Sequence, residues 1–111
     1  MQLSPAVRGA SFEVQVRLRN TGWRPWDSHD EPPVMASYHW ADASGTITHF
    51  DGIRTPLPAV VAHGQEAEVI IAVVAPPEAG RHNLLIDLVH EQTTWFSSEG
   101  CIIAPLAVDV A

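Results

Sequence analysis

The sequence predicts an all-β fold, an antiparallel β-sandwich of seven to eight short strands in a single domain over residues 1–111. Three observations carry this expectation. Apolar runs of strand length recur at about 8–12-residue spacing, the rhythm of a sandwich or barrel. Turn signals separate them, at Thr21-Gly22, Asp42–Gly45, Asp51-Gly52 and Pro76–Gly80. The longest helix candidate, Ala67–Ala75, is β-branched and runs into Pro76-Pro77, a sequence that opposes a helix.

In "SFEVQVRLRN", Phe12, Val14, Val16 and Leu18 alternate with Glu13, Gln15, Arg17 and Arg19. Period two marks a half-buried strand. Residues 2–4 are a candidate short strand before it. "VMASYHWA", Val34–Ala41, is the next strand, and the Asp42–Gly45 turn joins it to "TITHF" as a hairpin. "IRTPLP" holds two prolines and reads as an extended connection or a sheet edge. From Glu66 a strand begins in alternation and turns continuously apolar through Val74. Such a run is either covered on both faces or shows an outward apolar stripe of Ile70, Ala72 and Val74. "RHNLLIDLVH" and "CIIAPLAVDV" supply the last two long strands, with "EQTTWFSSEG" as a loop or short hairpin between them.

Composition excludes several function classes. The formal charge of −7, with six arginines and no lysine, repels phosphate backbones and anionic membrane surfaces. No apolar run reaches the roughly 18 residues of a membrane-spanning helix, and the first residues lack a signal-peptide pattern. Met1 directly before strand-like sequence suggests a domain excised from a longer protein. Cys101 is the single cysteine, so an internal disulfide is excluded, and in an apolar run it reads as a small buried hydrophobe. There is no G-x-S-x-G elbow, no H-E-x-x-H and no phosphate-cradling glycine loop. The expectation is therefore no catalytic residue, no metal and no cofactor. The six histidines do not converge at zinc spacing, and Asp27, Asp30 and Glu31 match no EF-hand loop.

An immunoglobulin-like sandwich wants a core tryptophan on its third strand, and Trp40 is so placed. It also wants a side chain near the start of the penultimate strand that bonds back across the preceding corner, usually a tyrosine. In "AGRHNL" His82 stands there, and an imidazole nitrogen makes a similar bond. The segments "VRLRNTGWRPW", "ASYHWADASGT", "DGIRTPLP", "PPEAGRHNLLIDLVHE" and "TWFSSEG" together cover most of Phe12–Gly100. In this ordered set the chain resembles bacterial immunoglobulin-like accessory modules appended to glycosyltransferase-type and methyltransferase-type proteins of surface-polysaccharide synthesis. It is more distantly similar to the four-tryptophan domains of autophagy receptors. The resemblance implies a non-catalytic module that binds a glycan or positions an adjacent domain of the same polypeptide.

Four residues are candidates for ligand binding: Trp23, His39, Arg54 and Trp95. Trp26 reads as a plug at the end of the core, whereas Trp23, at a loop tip, reads either as a second plug or as a platform for a sugar or a protein. Trp95 and Phe96, being adjacent, are expected to point in opposite directions. His39, flanked by Tyr38 and Trp40, is expected on the outward face with Thr48 and Asp87, as a polar patch on a solvated sheet. Arg54 is expected either to fix its loop through Asp51 or Glu91 or to recognise an acidic sugar or a partner carboxylate. The alternative functions are a protein-interaction or homo-oligomerising module, using the Ile70–Val74 stripe, and a structural spacer.

Overall fold

The computed structural model describes residues 6–99 and 105–111. Cys101 and the candidate strand at residues 2–4 lie outside them. The described chain is all-β, with antiparallel sheets built from β1 (Ser11–Arg19), β2 (Val34–Ala41), β3 (Ile47–His49), β4 (Thr55–Pro56), β5 (Glu66–Val74), β6 (Gly80–His90), β7 (Thr94–Trp95) and β8 (Leu106–Val110). A 3-10 turn, Phe96–Glu99, follows β7. The "EQTTWFSSEG" loop thus contains a two-residue strand followed by this turn.

β1 and β5 form a two-stranded sheet in unbroken register from Ser11↔Val74 to Arg19↔Glu66. The second sheet is centred on β2 and β6, with β3 and β4 on the far side of β2, and β7 and β8 on the far side of β6. The sheets stack because each presents one apolar face. Val14 on β1 and Val69, Ile71 and Val73 on β5 meet Ala36, Tyr38 and Trp40 on β2 and Leu84, Ile86 and Leu88 on β6. Alternation decides which residues these are, since side chains two apart share a face. Trp40 is 2 % exposed, and its indole N–H donates to the Val74 carbonyl at 2.8 Å, which ties the sheets together. The His82 Nε2–H donates to the Glu78 carbonyl at 2.9 Å, so the corner bond expected of a tyrosine is made here by histidine.

Along β5 the apolar run resolves into an inward set, with Ile70 and Ala72 exposed on the other face and Val74 partly buried. The IRTPLP segment lies along the edge of β2, where Thr55 and Pro56 pair with Ala36 and Met35. To reach that edge the chain crosses Tyr38 at Gly52. A Cβ at Gly52 would lie 2.5 Å from the Tyr38 carbonyl oxygen and 2.9 Å from two of its ring carbons. Gly52→Ala is therefore expected to cost about 1–3 kcal/mol, because backbone must move to admit the methyl group. Gly45→Ala serves as the control. There the added methyl meets nothing, and only the positive φ of 91° penalises it, at about 1 kcal/mol. Urea denaturation of both variants checks the order; an equal loss in the two would contradict it.

Candidate functional site

Two aromatic clusters answer to the four candidate residues. One is buried and one is exposed.

The buried cluster covers the face of β2 and β6 turned away from the sandwich core. Ser37 lies opposite Asp87, and His39 opposite Leu85, so His39 and Asp87 are diagonal neighbours on one face. The expected solvated patch is not what forms. His39 and Asp87 are each 3 % exposed, and Thr48 bonds the Trp40 carbonyl instead of His39. A second layer closes over them: Phe50 stacks on His39 at 4.5 Å, and Trp95 packs on both rings at 4.6 and 5.2 Å. The physical reason is that β7 and the 3-10 turn fold back over β6, which short-range alternation does not report.

Inside this layer the polar groups satisfy one another. The Asp87 carboxylate accepts from His39 Nε2–H at 2.8 Å, from Ser97 Oγ–H at 2.5 Å and from the backbone N–H groups of Leu88 and Ser97. The other imidazole nitrogen, Nδ1, faces the Phe50 carbonyl oxygen. Both partners of the ring are acceptors, and only an imidazolium donates from both nitrogens. Burial opposes the charge, but the bonds to Asp87 and Phe50 outweigh it and raise the His39 pKa above the ordinary 6.5. Burial likewise opposes ionisation of Asp87, yet the bonds from His39 and Ser97 hold its carboxyl below the ordinary 3.8. Histidine, aspartate and serine stand together without the order of a nucleophilic triad. The Ser97 hydroxyl lies on the carboxylate, and neither ring nitrogen is free to take its proton.

Arg54 closes the cluster. Its guanidinium carbon lies 4.8 Å above the Trp95 ring, a cation–π contact. Its Nε–H donates to Glu91 at 3.0 Å, and its Nη1 to Asp51 and to the Gly52 carbonyl, both at 2.7 Å. Both expected loop-fixing bonds are present. Three of the four candidate residues, His39, Arg54 and Trp95, are thus brought together through their ring contacts, and the polar groups of His39 and Arg54 are taken up by Asp87, Phe50, Asp51, Gly52 and Glu91. Trp95 and Phe96 do diverge: Phe96 meets Trp26 edge-on at 6.0 Å on the core side. Trp26 is the core plug, 8 % exposed, held by reciprocal backbone bonds with Val61.

Trp23 stands apart from the other three. It is 90 % exposed, at the end of the β1–β5 sheet. The residue beneath its loop is Asn20, which continues the inward series of β1 and is fully buried. Its amide donates to the carbonyls of Arg24 and Val61 at 2.8 Å and accepts from the Gly22 N–H at 2.9 Å. A buried amide so satisfied fixes the loop. His63, from the turn before β5, stacks under the indole at 5.0 Å and 13°, and its Nδ1–H donates to the Gly22 carbonyl at 2.7 Å. The sequence marks both supports only faintly: Asn20 by its even place in the alternation, His63 by its place in an H-G-Q turn. The result is a flat, fixed ring with one face backed by imidazole and the other open.

A cavity of about 210 Å³, lined by Tyr38, Trp40, His49, Gly52, Pro76 and Pro77 among others, opens beside β3 and shares no residue with the Trp23 loop. It is smaller than the cavities that enclose drug-sized ligands. Among the described residues no three of His, Cys, Asp and Glu lie together as a metal site would require. In the loop of Asp27, Asp30 and Glu31, Asp27 accepts the His29 N–H instead. Compared with family models, curated proteins and solved structures, the chain matches none.

Proposed function

We propose that the domain is a non-catalytic, immunoglobulin-like accessory module of a bacterial polysaccharide-related protein that binds a glycan on Trp23, the alternative job being to position a neighbouring domain. The observation that carries the reading is the exposure of Trp23, 90 %, on a loop that Asn20 bonds down at Gly22 and Arg24. An indole left in water costs the free energy that its burial would recover, and a fixed one loses little entropy when it docks. The apolar C–H face of a pyranose matches the open, electron-rich face of the indole. Trp23 and its His63 support form the contact surface; His39, Arg54 and Trp95 maintain the scaffold. The strand pairing β1–β5 against β3–β2–β6–β8 suits the immunoglobulin-like assignment, and the bacterial setting rests on the resemblance of the ordered segments.

Titration of bacterial glycans against intrinsic fluorescence tests this reading. A binding glycan is expected to shift the emission and shield it from acrylamide. Trp23→Ala is expected to abolish binding while changing stability by no more than about 0.5 kcal/mol, as for an exposed surface position. Binding that survives Trp23→Ala, or acrylamide quenching that no glycan of the panel alters, would overturn the proposal.

A further inference from the structure

We infer that β1 is a homodimerisation edge, pairing antiparallel with β1 of a second copy about Gln15. The backbone direction of this strand follows from its neighbours. Asn20 N–H donates to the Gln65 carbonyl, and the Ala10 carbonyl accepts from Ala75 N–H, so the even-numbered residues bond toward β5. On the partner strand Ala72 N–H points the other way, to Thr55 Oγ1, in agreement with its register opposite Glu13. The N–H and C=O groups of Ser11, Glu13, Gln15, Arg17 and Arg19 therefore face the free edge. Among the described residues none of them has a hydrogen-bond partner. The chain entering β1 leaves the edge uncovered at Ala6, which pairs with Val110 on the other sheet.

The two edges of this sheet are treated differently. On β5, the Tyr38 hydroxyl accepts from Val74 N–H, the Trp40 indole bonds the Val74 carbonyl, and Thr55 takes Ala72 N–H. These side chains occupy the positions a further strand would use at the Ala72–Val74 end of β5, whereas no such cover lies on Glu66, Glu68 and Ile70 among the described residues. Among the described residues β1 has no such cover. It is nine residues long, in unbroken register with β5, and without the proline, glycine or bulge that blunts an edge.

The strand is also complementary to itself. Antiparallel pairing about Gln15 overlaps its whole length, setting Ser11 against the second copy's Arg19, Phe12 against Leu18, Glu13 against Arg17 and Val14 against Val16. Glu13 then lies opposite one arginine and diagonal to another, and opposite charges across strands are favourable. Within one copy neither Glu13 nor Arg19 forms an ion pair among the described residues. Centring the pairing on Glu13 or on Arg17 would set like charges face to face. A shallow trough lined by Gln15, Val16, Arg17 and Glu68 lies at the middle of this surface. Dimerisation would merge two β1–β5 pairs into one four-stranded sheet, and it is independent of glycan binding at Trp23.

Sedimentation velocity across a concentration series is the first measurement, with the expectation of a concentration-dependent dimer. Gln15→Pro removes an edge N–H and leaves the backbone ladder to β5 intact, losing only the exposed side-chain bond from Gln15 Nε2 to Glu68, and is expected to weaken the dimer at least about tenfold. Glu13→Lys, which sets a second cation against Arg17, is expected to weaken it in the same direction and leaves the ladder intact should Gln15→Pro fail to fold. In a Cys101→Ser background, Gln15→Cys is expected to cross-link across the axis, where paired Cα atoms lie about 5.5 Å apart, within disulfide reach. Glu13→Cys is expected not to cross-link, since the two copies of residue 13 stand four residues out of register. A monomer at every concentration overturns the inference. So does a dimer indifferent to Glu13→Lys, or one cross-linked by Glu13→Cys in preference to Gln15→Cys.

Discussion

Asp87→Ala is expected to destabilise the domain by about 3–5 kcal/mol, the cost of stripping one partner from a buried ion pair. The carboxylate serves His39, Ser97 and two backbone N–H groups at once, and the buried His39 has no water in reach to replace it. Domains of this size have about 5–15 kcal/mol in all, so the variant is expected to lie near the limit of folding. Urea denaturation followed by far-UV circular dichroism measures the loss. The same pair predicts a pH profile. His39 is raised in the folded state, so its contribution is fully present below pH 6.5 and fades as pH climbs through the folded value. Asp87 is lowered, so its contribution is present above pH 3.8 and fades as pH falls through its folded value. Stability from the pair is therefore expected to be greatest between these two values. His39→Gln is expected to flatten the alkaline limb. An alkaline limb unchanged in His39→Gln would remove His39 as its source.

Trp40→Ala is expected to cost a similar amount, about 3–5 kcal/mol, by a different route. The ring is 2 % exposed and packs on Phe12, Tyr38 and His82 at centroid distances of 6.4, 6.4 and 6.1 Å. Its loss opens a void between the sheets and leaves the Val74 carbonyl without its donor. Trp40→Phe separates the two effects, since it refills most of the void and removes only the N–H. It is expected to cost about 1–3 kcal/mol, the desolvation penalty of the unpaired carbonyl. Chemical denaturation of the pair checks the split, and equal losses would show that the void adds little beside the lost hydrogen bond.

These two residues also show what was legible before the structure. Trp40 was placed in the core from its position on a strand, and His82 at the corner from its position after a glycine. Both assignments rest on short local patterns, a tryptophan in a strand segment and a side chain two residues after a glycine. Asp87 was placed correctly on the face opposite the core, yet whether that face meets water depends on a strand and a turn ten residues further along the chain. One signal was present: β2 carries Ala36, Ser37 and Ala41 and no Asp, Glu, Lys or Arg, as a strand covered on both faces would. Trp23 could not be decided from its loop alone, because its partner His63 is forty residues distant.

The sequence by itself determined the all-β class, the strand segments and the inward face of β1, because a period of two is a property of neighbouring residues. Only the tertiary structure decided that His39, Arg54 and Trp95 form one buried layer, that Trp23 stands exposed on His63, and that β1 keeps an open edge. Each of these depends on which distant segment arrives at a given face or edge, and chain connectivity sets that, not local pattern.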